Sequence, residues 1–96
     1  SVVMAAVWSI LDRDDRLVAT VSDEPGEFHT SSAPDGDVAP LWLPFATLQC
    51  YDARSESEIL KAILRAPDME EFLDRVACAG FKVRAGRPTA GRIVRL

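Results

Sequence analysis

Near the start of the chain, two runs of strand-forming residues flank a short polar stretch. Residues 7–11 and 17–21 are rich in valine, isoleucine and leucine and include a tryptophan, a composition that favours β-strands. Residues 12–16 between them are all aspartate or arginine, and polar stretches of this kind are typical of hairpin turns. We therefore expect two antiparallel strands joined by this turn.

Residues 23–40 are poor in hydrophobic residues and dense in the turn formers proline, glycine, serine and aspartate. A structureless loop of about 18 residues is unusual within a compact domain. A short strand over residues 27–30, paired with residues 17–21, would shorten this loop. The alternative is that the whole stretch is irregular.

A proline marks a change of element after the apolar residues 41–43. Pro44 suits the first turn of a helix, where its missing N–H group is not needed. Phe45, Leu48 and Tyr51 follow at helical spacing, so the pattern predicts a helix over residues 44–53.

Residues 55–65 fit two descriptions. Apolar residues at positions 59, 60, 63 and 64 form a stripe with helical spacing, and Ser55 with Glu58 matches the capping box that starts many helices. The apolar run is short, however, and Pro67 ends it soon afterwards, which suits a strand nearly as well. The residues by themselves leave both alternatives open.

A further helix has clear boundaries. Asp68 is a suitable N-cap and is followed by acidic residues in the first turn, where the helix dipole favours them, and Gly80 is suited to end the helix. Residues 81–85 and 92–96 then have the character of strands joined by a loop. The chain is therefore predicted to be one α+β domain over residues 1–96, with an antiparallel sheet of four to five strands and two or three helices packed on one face.

Charge is distributed unevenly in a chain of otherwise ordinary composition. Apolar residues make up 48% and charged residues 27%, as in soluble globular proteins, and the net charge is −4. All fifteen acidic residues lie within residues 1–79. Strand alternation would place Lys82 and Arg84 on one face of a basic C-terminal ribbon, which Arg87, Arg92 and Arg95 could join. This ribbon could contact phosphates, although the acidic remainder of the chain repels nucleic acid and anionic membranes.

Residues with catalytic or metal-binding chemistry are few. The only histidine, His29, lies in the polar stretch near two serines, with no third group to orient a nucleophile and its base. Cys50 and Cys78 lack metal-ligand spacing and are expected to be reduced thiols of a cytoplasmic protein. No apolar run approaches the ~20 residues of a membrane span. We therefore expect no catalytic site, no metal and no cofactor.

Four short motifs, in a fixed order over residues 7–85, resemble those of a known family. They are Val7-Trp8-Ser9-Ile10-Leu11, Leu41-Trp42 with Pro44, Glu71-Phe72-Leu73, and Gly80-Phe81-Lys82-Val83. Their order and spacing are similar to those of the bacterial domain-of-unknown-function family numbered twenty-seven fifty. This chain departs from the family pattern by an extra Leu43 between the tryptophan and the proline, and it lacks most of the family's helix before the first strand. The resemblance implies a strand at residues 59–65 that leads into the Glu-Phe-Leu helix, and it implies no activity.

Two hypotheses for function follow. The first is a non-enzymatic protein-interaction module that binds a partner protein or a second copy of itself through Trp42, Arg84, Arg87 and Arg92. In this hypothesis Trp42 is an exposed anchor. The other interpretation, which we favour for this tryptophan, is that it caps the core beneath the preceding loop. The alternative is a nucleic-acid-associated accessory protein that uses the basic C-terminal ribbon.

Overall fold

The computed structural model describes residues 5–30 and 41–88, which contain six strands and two helices. In chain order these are β1 (Val7–Leu11), β2 (Leu17–Ser22), β3 (Gly26–His29), β4 (Leu41–Leu43), β5 (Thr47–Cys50), α1 (Ala53–Arg65), α2 (Met69–Cys78) and β6 (Lys82–Ala85). The strands form one sheet in the order β4-β3-β5-β2-β1-β6, in which β3 and β5 are parallel and every other pair is antiparallel. The α+β class is confirmed. The prediction of an antiparallel sheet of four to five strands is wrong, because the sheet is mixed and has six.

The first two strands form the predicted antiparallel hairpin. The carboxylate of Asp12 closes the turn by accepting hydrogen bonds from the backbone N–H groups of Asp14 and Arg16, at 2.9 and 3.0 Å. Asp15 has a φ of 64°, in the left-handed region that aspartate tolerates better than most residues. The polar turn residues therefore supply both the hydrogen bonds and the backbone conformation that reverse the chain.

The register of this hairpin shifts beyond Ile10. Ile10 pairs with Ala19 whereas Leu11 pairs with Leu17, so that Val18 is an extra residue in β2, as in a β-bulge. Adjacent residues of a regular strand point to opposite faces, but a bulge turns two of them the same way. Val18 and Ala19 are accordingly both buried, at 1% and 0% exposure.

The helix predicted over residues 44–53 is wrong, because Thr47–Cys50 form β5 in the interior of the sheet. Leu48 and Cys50, two residues apart, are both fully buried, while Thr47 and Gln49 are only partly buried. A strand places alternate residues on one face, which a helix does not. Pairing with β2 on one side and β3 on the other supplies hydrogen-bond partners along both edges of β5.

The short strand predicted over residues 27–30 exists as β3, but its predicted partner is wrong. Instead of pairing with residues 17–21, β3 lies between β4 and β5. A glycine is needed where β3 begins, since a Cβ on Gly26 would lie 1.9 Å from Oγ1 of Thr47. Beyond the strand, the hydroxyl of Thr30 donates a hydrogen bond to the carboxylate of Glu56. This bond connects the end of β3 to α1.

Residues 55–65 belong to helix α1, so the strand that the family resemblance implies there is wrong. The N-cap is Asp52 rather than Ser55, and the Ser55 hydroxyl donates a hydrogen bond to the Asp52 carboxylate at 2.8 Å. Ile59 and Ile63, one turn apart, are buried at 0% and 2% exposure. Burial of this stripe against the sheet favours a helix, in which residues four apart lie on one face.

Helix α2 begins and ends close to the residues that the sequence predicts. The carboxylate of Asp68 accepts a hydrogen bond from the backbone N–H of Glu71 at 2.9 Å, as an N-cap does. At the other end, Gly80 has a φ of 103°, and the N–H of Phe81 bonds to the carbonyl of Val76 at 3.1 Å, as in a Schellman motif. This ending reverses the chain directly into β6.

The sheet has two faces of different character. Its helix-covered face carries buried apolar residues that form one cluster with the buried residues of both helices, among them Ile10, Val21, Leu48, Phe72 and Val76. Its polar face carries the alternating residues, which pair across five strands in the row His29, Gln49, Thr20, Ser9 and Arg84. The predicted strand over residues 81–85 is confirmed as β6. The strand predicted over residues 92–96 lies outside the described residues.

Candidate functional site

Trp42 is the most exposed large apolar residue in the described part of the chain, at 63%. It is the central residue of β4, at one edge of the sheet, and pairs with Glu27 of β3. Its neighbour Leu43 is buried at 2% exposure on the helix-covered face, so alternation places Trp42 on the polar face. The expectation that Trp42 caps the core is therefore wrong. We refer to Glu27, Leu41 and Trp42 as the Trp42 edge.

The basic residues predicted to join Trp42 lie at the opposite edge of the sheet. Arg84 is on β6, and four strands separate β6 from β4. Because neighbouring strands are about 4.8 Å apart, Trp42 and Arg84 are separated by roughly 24 Å. Arg87 follows β6 and is exposed, whereas Arg92 lies outside the described residues. Trp42 and Arg84 therefore belong to separate surfaces.

An acidic residue that the sequence does not single out lies among the cations of β6. Oδ1 of Asp15, in the hairpin turn, is 2.6 Å from Nζ of Lys82 and 3.8 Å from a guanidinium nitrogen of Arg84. The hydrogen bond from Lys82, reinforced by its charge, holds the pKa of the Asp15 carboxyl below its ordinary value. Asp15 thus offsets part of the positive charge of the ribbon, and only the pairing of β6 with β1 brings these residues together.

The surroundings of Trp42 are acidic. Glu27 lies directly opposite Trp42 in the β3–β4 ladder, so their Cβ atoms are about 4.5–5.5 Å apart on the polar face. The Glu27 carboxylate is 3.9 Å from Nε2 of His29, which is the last residue of β3 rather than part of a loop. Asp23 and Glu24 occupy the preceding turn. The sequence did not single out Glu27, because its position opposite Trp42 depends on the pairing of β3 with β4 rather than with residues 17–21.

The two thiols differ in accessibility. Cys50 is fully buried on the helix-covered face, and burial, with a contribution from the negative charges of Glu56 and Asp52, raises the pKa of its thiol to about 12. Cys78 is exposed on α2. The buried thiol therefore stays protonated at neutral pH and acts as a small apolar side chain rather than as a nucleophile.

The described residues also line two depressions that are open to solvent. One lies between α1 and α2 among charged residues that include Lys61, Arg65 and Asp74, and the other lies between the hairpin turn and Gly80. Across residues 5–30 and 41–88, no group of three or more His, Cys, Asp or Glu residues is arranged to hold a metal ion. Neither α1 nor α2 has the length and apolar character that a bilayer-spanning helix requires.

Comparison of the chain with protein-family models, with curated proteins and with solved structures finds no match. The family resemblance therefore stays a prediction.

Proposed function

We propose that the chain is a non-enzymatic, cytoplasmic protein-interaction module and that the Trp42 edge is its contact surface. The observation that carries this proposal is the 63% exposure of Trp42 on an edge strand of the sheet. Tryptophan is among the residues that contribute most to protein interfaces, because it combines a large apolar surface with an N–H donor. Leu41 beside it is 39% exposed but, by the same alternation, lies on the opposite face of β4, so the indole itself is the apolar surface on the polar face.

The backbone of β4 supports the same proposal. Among the described residues, β4 pairs with β3 alone, so its other edge presents N–H and C=O groups that a further strand could bind. Addition of an extended segment to a sheet edge is a common mode of protein recognition. Either another protein or a second copy of this chain could supply that segment.

The basic C-terminal ribbon favours nucleic-acid contact as the alternative function. Lys82 and Arg84 lie on one face of β6, with Arg87 exposed just beyond, and clustered cations of this kind contact phosphates. The ion pairs with Asp15 reduce the charge that is free for such contacts. For this reason we place the alternative second.

Affinity capture from a native lysate tests both functions. The full-length tagged chain would be compared with Trp42→Ser and with Leu64→Ser, a matched control because Leu64 is 59% exposed on α1. Half of each lysate would be treated with nuclease before capture, and retained proteins would be measured by mass spectrometry. We expect proteins that survive nuclease treatment and that Trp42→Ser, but not Leu64→Ser, depletes by about fivefold or more.

The other outcomes are equally informative. Capture that Trp42→Ser leaves unchanged would contradict a role for the Trp42 edge. Proteins lost after nuclease treatment would favour the basic ribbon instead. Retention of no protein by a chain that is also monomeric in light scattering would contradict the interaction module. Because Trp42 and Leu64 are both exposed, thermal unfolding should show that the two variants remain folded.

A further inference from the structure

Charge is segregated between the two edges of the sheet, and the end that carries Trp42 is acidic. Residues 17–30 and 41–51, which include strands β2 to β5, contain the acidic residues Asp23, Glu24 and Glu27 but no lysine or arginine. Lys82 and Arg84 lie at the opposite edge on β6. A partner at the Trp42 edge therefore encounters a negative potential, which favours cations and disfavours phosphates.

The geometry of the Trp42 edge suits one cation in particular. Trp42 and Glu27 lie opposite each other on the polar face, and the Glu27 side chain is 39% exposed. A cation within about 6 Å of an indole ring is attracted by the electrons of its face, and tryptophan is the strongest of the aromatic residues in this respect. A cation in that position would also be close to the Glu27 carboxylate, so the two interactions reinforce each other.

An extended segment added to β4 would deliver such a cation. The added strand would lie about 4.8 Å beyond β4, with alternate side chains on the polar face. From there a lysine or arginine side chain is long enough to cross the indole of Trp42 and reach toward Glu27, with its alkyl part on the ring and its charge at the carboxylate. A short apolar side chain, or an acidic one, would place no positive charge on the indole of Trp42 and none at the Glu27 carboxylate.

We propose that the occupant of the Trp42 edge is an extended, basic segment of another protein, which adds to β4 and lays a lysine or arginine across Trp42 against Glu27. This inference rests on the proposed function. Pro44, which follows β4 and has no N–H group, limits the pairing to about three residues. Recognition consequently depends on the side chain over Trp42 more than on the length of the ladder.

Calorimetric titration with three capped peptides tests the charge requirement. The basic peptide is Thr-Lys-Val-Arg-Val-Lys-Thr, and the other two carry Gln or Glu at the three cationic positions. We expect the basic peptide to bind the full-length chain about tenfold more tightly than the Gln peptide and to weaken as salt is raised. The Glu peptide should bind least.

Variants of the chain then locate the contact. Glu27→Gln keeps the shape of the side chain and should weaken the basic peptide about fivefold without affecting the Gln peptide. Glu70→Gln, at an exposed acidic residue on α2, is the matched control and should change neither affinity. Hydrogen exchange should slow at the backbone amides of β4 when the basic peptide is present.

Each contrary result separates this inference from the proposed function. Equal binding of the basic and Gln peptides at β4 would overturn the inference and leave the interaction module standing. Self-association that Trp42→Ser abolishes in sedimentation would identify a second copy, rather than another protein, as the occupant. If no peptide protects β4, the inference is wrong, and the capture experiment alone then decides whether the Trp42 edge binds proteins.

Discussion

Trp8 and Trp42 differ because each one lies on a different face of the sheet. Trp8 pairs with Val21 on the helix-covered face and packs, half-buried, against the core. Trp42 lies on the polar face of an edge strand and is 63% exposed. At the scale of single residues, the position on a strand therefore decides whether a tryptophan contributes to stability or is left for contacts.

Cys50 yields a prediction for stability at alkaline pH. Burial raises the pKa of its thiol from an ordinary value of 9.0 to about 12. The folded protein therefore retains a proton that the unfolded chain loses, and stability from this group is fully present below about pH 9 and falls as the pH rises toward 12. Urea unfolding should show a steeper loss of stability between pH 8 and pH 10 for the native chain than for Cys50→Ala.

The comparison of slopes isolates the thiol from other groups that titrate in this range. Lysine and tyrosine residues are present in both proteins and contribute equally to each curve. Parallel curves for the native chain and Cys50→Ala would show that the thiol is already accessible in the folded protein.

At the scale of elements, the apolar residues of α1 look alike in the sequence but differ in burial. Positions 59, 60, 63 and 64 are all apolar, yet Ile59 and Ile63 are buried while Leu64 is 59% exposed. A helix rotates each residue by about 100°, so only some of these positions face the sheet. Burial therefore depends on how α1 is rotated against the core.

Two alanine substitutions test this rotation. Ile63→Ala should lower the free energy of unfolding by about 2–5 kcal/mol, because it leaves a cavity in the core. Leu64→Ala should change it by less than about 0.5 kcal/mol, because the leucine is already in contact with water. Urea unfolding followed by circular dichroism would measure both, and equal losses would indicate that α1 is rotated differently.

At the scale of the whole molecule, the order of strands decides which surfaces are far apart. It also decides which strands are hydrogen-bonded to a neighbour on both sides. β1, β2, β3 and β5 are each paired on both sides, whereas β4 and β6 lie at the edges of the described sheet. This order also places the Trp42 edge and the cations of β6 at opposite ends. The strand that carries Trp42, β4, is consequently paired on one side only among the described residues.

Hydrogen exchange should reflect this difference in support. Amides of β2 should exchange only through global unfolding, whereas the amides of β4 should exchange through local opening at lower free energy. Exchange followed by NMR at a single pH would compare Thr20 with Trp42. If the Trp42 amide were as well protected as that of Thr20, β4 would already be paired on both sides in the isolated chain.

The sequence predicts an element correctly when residues close to it in the sequence stabilise it. It fails when the element is stabilised by strands that are distant in the sequence. The hairpin and the ends of α2 were predictable, since Asp12, Asp68 and Gly80 act within four or five residues of themselves. β5 was not, because the spacing of Phe45, Leu48 and Tyr51 suits a helix until β2 and β3 are present to pair with it. Of the candidate site, only Trp42 and the alternation of β6 were predictable.

By itself, the sequence determined the first hairpin turn, both ends of α2, the alternation of Lys82 with Val83 and the α+β class, because these depend on backbone preferences and hydrogen bonds between near neighbours. Only the tertiary structure decided the partner of β3, the exposure of Trp42 and its position opposite Glu27. It also decided the contact of Asp15 with Lys82. These features depend on which distant strands pair, and that choice is made by burial of the whole core rather than by any local pattern.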